Sequence, residues 1–117
     1  MTDPIVDPEA WETMKAITDP AFMIELIDVY LSDSPDLIDQ MQRGFAASDI
    51  DVVRRAAHSL KSNSASFGAN RLADACRDLE MLAKGNTLQG ADPLIARVAA
   101  EYEALAPFLM EQKNEFE

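Results

Sequence analysis

The chain has 117 residues, 48% of them hydrophobic, with 21 acidic against 10 basic side chains and a net charge of −11. That length suits one domain with its own core, and the acidity argues against nucleic-acid and anionic-lipid partners, which it would repel. The lone cysteine, Cys76, excludes an internal disulfide. Met1 to Ile5 lacks the basic start and apolar run of a secretion signal, and no stretch approaches the roughly 20 apolar residues of a membrane span, so the cytoplasm is the expected compartment.

Apolar residues recur at helical intervals throughout, and no segment alternates as a half-buried strand does. A short first helix is expected over Glu9 to Ile17. Asp19-Pro20 and Ser34-Pro35 each set a capping oxygen before a proline at the first helical position, where the missing N–H costs nothing. They predict helices over Pro20 to Ser32 and Pro35 to Ala47. Ser48-Asp49 opens a helix over Ile50 to Phe67, Asn70 opens one over Asn70 to Lys84, and Asp92-Pro93 opens the last, Pro93 to about Met110. Gly68 and Gly85 stand just past helix ends, where a left-handed residue is expected. Pro107 should kink or end the last helix, and the tails, Met1 to Asp7 and Gln112 to Glu117, should fray.

Short connections favour antiparallel neighbours. The predicted architecture is all-α: an up-and-down four-helix bundle on the longer helices, with one or two extra short N-terminal helices, forming a single domain over 1–117. One bundle can bury its own core, which favours a monomer, and the starting methionine and tails suggest a free-standing protein.

His58 is the only histidine. At about 100° per residue, Val53, Ala57, Leu60, Ser64 and Phe67 share one apolar stripe, and His58 lies well over a quarter turn from its centre, on the wet side. Arg54, Lys61, Ser62 and Ala65 border the same strip. Neutral imidazole can attack through nitrogen, Lys61 can neutralise phosphoryl oxygens, and Ser62 and Ala65 leave room for a large partner. The segment Arg43 to Lys84 carries seven basic and five acidic residues, net +2, and the remainder is −13. Such a hairpin would attract a phosphorylated surface, although its arginines could equally serve ordinary salt bridges along helix faces.

The run Ala57-His58-Ser59-Leu60-Lys61-Ser62-Asn63-Ser64-Ala65-Ser66-Phe67-Gly68 resembles the signature of histidine phosphotransfer (HPt) domains, in which His-x-x-Lys-(Gly/Ser) precedes small residues and a glycine ten positions after the histidine. The likeness extends to Leu72, Cys76, Leu79 and Glu80. It implies that His58 takes a phosphoryl group from an aspartyl phosphate on a receiver domain and passes it to another receiver aspartate. It implies also that Lys61 stabilises the phosphate, that Glu80 can accept a bond from Nδ1–H and leave Nε2 free, and that Lys84 can add a second positive charge. By the same likeness the protein has no ATP site and no cofactor, Mg²⁺ being supplied by the receiver, and its partners are response-regulator receivers and a hybrid histidine kinase. Ser62 departs from the glycine of many members.

Two other functions are compatible with the chain: a non-reactive helical adaptor with an incidental His58, and the dimerisation hairpin of a sensor kinase. The hairpin typically has an acidic residue after its histidine, where Ser59 stands here. Cys76 shares the stripe of Leu72 and Leu79 and reads as a small buried hydrophobe rather than a nucleophile. The stretch Phe22 to Leu31 is more apolar than one buried face requires. The first helix can cover it through Trp11 and Met14, part of it can join the His58 helix in a docking surface for a receiver, and both can hold for different residues.

Overall fold

The computed structural model describes residues 3–117 and consists of five helices: α1 Pro8–Ile17, α2 Pro20–Ala46, α3 Ile50–Ser66, α4 Asn70–Lys84 and α5 Ala91–Phe116. No strand occurs among the described residues. Helix α3 packs between α2 and α4, and α5 closes the bundle against α2 and α4. The core gathers Met23, Ile27 and Met41 of α2, Val53 and Leu60 of α3, Leu72, Cys76 and Leu79 of α4, and Val98, Leu105 and Leu109 of α5. The expected stripe of α3 is buried in full, Val53, Ala57, Leu60, Ser64 and Phe67 alike.

The two helices expected over Pro20 to Ser32 and Pro35 to Ala47 are one continuous α2. Pro35 removes the N–H that would bond the carbonyl of Leu31, and its ring crowds that carbonyl. Tertiary partners take up the defect: the Tyr102 hydroxyl of α5 donates to Leu31 O at 3.4 Å. Ser34 is not a cap. It is fully buried, and its hydroxyl donates to Tyr30 O at 2.6 Å. Pro107 likewise lies inside α5 without ending it, and both it and Glu103, whose carbonyl loses the bond, are exposed to water. The last helix begins at Ala91 behind Gly90 at φ 86°, so Asp92 sits in the first turn and is not its cap.

Other local expectations also need correction. Gly85 has φ −76°, and the left-handed residue is its neighbour Asn86 at φ 62°. Asn70 is the first residue of α4 rather than its cap, a place taken by Ala69, and Asp19 caps α2 without a side-chain bond. In the described parts of the tails, α5 continues to Phe116, Val6 is buried, and Asp7 caps α1 while its N–H donates to Gly68 O at 2.8 Å. Met1 and Thr2 of the expected N-terminal tail lie outside the described residues.

The α3–α4 turn sets the height of His58 against α4. Gly68 adopts φ 76°, and the N–H groups of Gly68 and Ala69 return to the carbonyls of Ala65 and Ser64, so the last turn of α3 is closed by a glycine-dependent cap. A Cβ at Gly68 would meet Ala10 Cβ at 2.9 Å. Gly68→Ala is therefore expected to lose stability by about 1–2 kcal/mol from the left-handed backbone alone, with α1 loosened besides. Urea unfolding checks it, and an unchanged midpoint would remove this role.

Candidate functional site

His58 and Glu80 are brought together by the antiparallel α3–α4 hairpin. The His58 side chain is 60% exposed, and its Nδ1 lies 2.9 Å from Glu80 Oε2. No hydrogen bond engages Nε2 among the described residues. A carboxylate can only accept, so the neutral ring carries its hydrogen on Nδ1 and leaves the Nε2 lone pair for attack. Glu80 itself is 2% exposed. Lys61 Nζ donates to its Oε1 at 2.5 Å, and Lys84 Nζ lies 3.5 Å from Oε2.

Burial would push the Glu80 carboxyl upward, but the hydrogen bonds from Lys61 and His58 and the charges of Lys61 and Lys84 together outweigh it and hold it at about 2. Glu80 is thus an anion at neutral pH beneath an exposed imidazole. Burial pushes the neighbouring Cys76 thiol up to about 12, which keeps it protonated and inert, as its place in the apolar stripe predicts.

The surface strip around His58 is as the spacing places it, with Ser62 and Ala65 both exposed and free of bulk. Arg54 is not drawn into the cluster, because it pairs with Asp51, which also takes Arg55. Arg43, Arg71 and Arg77 pair with Asp39, Glu101 and Asp74 in the same way. Each of these arginines thus has a carboxylate partner, and the ammonium groups at the Glu80 carboxylate beneath His58 are those of Lys61 and Lys84.

Sequence spacing does not show what lies beneath. The Tyr30 hydroxyl and Ser64 Oγ are 2.7 Å apart in the core, which ties α2 to the histidine helix three residues past Lys61. Tyr30 also packs edge-on to Phe67, with ring centroids 5.0 Å apart. Ser64 reads only as a small residue in the stripe, and its partner lies 34 positions away.

Helix α1 leaves two apolar residues of the α2 stretch, Phe22 and Val29, in water, whereas Met23, Ile27 and Tyr30 are buried. Trp11 packs on Phe67 and Phe108 instead, and its indole N–H donates to Gln112 at 3.3 Å. Phe22 and Val29 remain 51% and 57% exposed. Val29 is also part of a groove between α2 and α3 that is lined by Leu26, Tyr30, Asp33, Asn63, Ser66 and Phe67 besides.

The bundle thus presents a solvated histidine over a buried glutamate whose carboxylate also holds two lysines. The Hpt domain family model matches residues 25–107, and the chain belongs to that family. It is similar to histidine-containing phosphotransfer protein 2 of Arabidopsis thaliana, 28% identical over 98 residues that span 81% of this chain and 63% of the relative. It is similar also to the phosphorelay protein LuxU of Vibrio harveyi, 31% identical over 64 residues, 55% of this chain and 56% of that one. The chain thus spans less than two thirds of either relative. In fold it resembles crystalline histidine-containing phosphotransfer protein B (HptB) of Pseudomonas aeruginosa, with a TM-score of 0.91, 24% identity, and coverage of 99% of this chain and 100% of that one. A rice structure described as a putative histidine-containing phosphotransfer protein gives a TM-score of 0.80 at 20% identity, covering 96% of this chain and 84% of the other.

Proposed function

We propose that the protein is a phosphorelay intermediate: His58 Nε2 accepts a phosphoryl group from an aspartyl phosphate on a receiver domain and hands it to another receiver aspartate. The observation that carries this reading is the exposed ring, bonded through Nδ1 to a buried anion and open at Nε2. The transfer runs in line through a loose transition state and asks mainly for positioning and charge stabilisation. This chain supplies the nucleophile and Lys61, and the receiver supplies its own Mg²⁺. The protein then acts as a phosphocarrier with neither ATP site nor cofactor of its own, and works as a monomer in the cytoplasm between a hybrid histidine kinase and a response regulator. Its described helices include none long and apolar enough to cross a membrane. The exposed Phe22 and Val29, the latter in the α2–α3 groove, fit the apolar part of a receiver's surface.

Incubation with a panel of phosphorylated receiver domains, followed by mass mapping of acid-labile phosphate, tests the assignment. Phosphohistidine at His58 is the expected result. Absence of label from every donor would favour the adaptor reading. Lys61→Ala is expected to slow transfer by about tenfold or more, as loss of one charge-stabilising donor does, with receiver binding largely kept. Unchanged single-turnover kinetics would take Lys61 out of the mechanism.

A further inference from the structure

The two oxygens of Glu80 are held differently. Oε2 is shared by His58 and Lys84, whereas Oε1 is held by Lys61, the residue whose charge the phosphoryl group would need. In the resting site, therefore, Lys61 is already engaged. Resting on the phosphotransfer reading, the geometry points to a counterion exchange at Glu80, in which Lys84 takes over the carboxylate as His58 is phosphorylated and Lys61 is released to the phosphoryl oxygens.

Charge balance drives the exchange. The Nε2 lone pair forms the N–P bond while the O–P bond of the acyl phosphate breaks, and the aspartate leaves as a carboxylate with the bonding pair. The ring keeps its Nδ1 hydrogen and becomes cationic, so its bond to Glu80 Oε2 becomes charge-assisted and stronger. Two lysines and a cationic ring then face one carboxylate, while new negative charge stands on the phosphoryl group above it. Lys61, with 29% of its side chain exposed, is the ammonium closer in sequence to His58 and can turn outward.

Its departure would leave Oε1 buried without a donor, a costly state unless another fills the place. Lys84 is the group available: it is already 3.5 Å from the carboxylate and 53% exposed, with room to slide. The other cation bordering His58, Arg54, is occupied by Asp51, and the Cys76 thiol one turn before Glu80 is neutral. Lys84 is thus a positioning residue, acting through Glu80 and Lys61.

Phosphoramidate, a small-molecule phosphodonor, allows a test on the whole chain without a receiver. Side-chain ammonium NMR signals are followed before and after phosphorylation in wild type, Lys84→Met and Lys84→Arg. In wild type both lysine signals should move. In Lys84→Met the Lys61 shift should fall to less than half, and transfer to a receiver should slow on the order of tenfold, with Lys84→Arg restoring most of both. A stationary Lys61 signal in phosphorylated wild type, or a Lys84→Met variant that matches wild type in shift and rate, would overturn the exchange while leaving the phosphocarrier reading intact. Failure of wild type to take phosphate from phosphoramidate and from every receiver would overturn both.

Discussion

His58→Gln is expected to take no phosphate from any phosphorylated receiver while folding as the wild type does. The loss is complete because the glutamine amide has no nucleophilic lone pair to replace Nε2. The fold survives because the ring is 60% exposed and makes a single bond, to Glu80. Removing it leaves Glu80 still paired with Lys61 and Lys84, so no uncompensated charge is stranded in the bundle. Circular dichroism should overlay, and a label assay should read zero. Retention of phosphate by this variant would place the acceptor elsewhere and sink the proposed function.

Glu80→Gln is expected to change stability in a way that depends on pH. The ordinary value for this carboxyl is 4.5, and the folded protein holds it at about 2. A group depressed on folding contributes stability that is fully present above its unfolded value and disappears as pH falls through the folded one. At about 1.4 kcal/mol per unit the contribution reaches about 3 kcal/mol, a sizeable part of the roughly 5–15 kcal/mol that a domain possesses. The variant should therefore unfold more easily than wild type in urea at pH 7. The gap should narrow from pH 4.5 downward and nearly vanish by pH 2. A difference that stays constant across that range would mean that Glu80 contributes packing and not charge.

Both results turn on a hairpin that was partly legible beforehand. The helical stripe of α3 follows from period alone, since residues three and four apart must share a face. The outward position of His58 and the inward one of Cys76 are consequences of it. Gly68 could also be read, because only a glycine adopts the left-handed conformation there at no cost. The convergence of Glu80, Lys61 and Lys84 was suggested by likeness to the HPt pattern and not by spacing. It depends on the register between two helices, which the turn at Phe67–Ala69 sets.

What local rules misjudged lay where distant partners intervene. Ser34-Pro35 has the form of a helix start. In the bundle, Tyr102 reaches across from α5 to the freed Leu31 carbonyl, Ser34 turns back to Tyr30, and one long helix results. Likewise Trp11 settles on Phe67 and Phe108 rather than over Phe22, so an apolar edge of α2 stays in water beside the histidine helix. The amino-acid order by itself determined the helical class, the buried stripe and the solvated imidazole, because periodicity and backbone preference act over neighbouring residues. Only the tertiary structure decided that α2 runs unbroken, that Arg71 of α4 pairs with Glu101 of α5, and that one buried carboxylate gathers the ring and two ammonium groups, because each requires groups from different helices to meet in space.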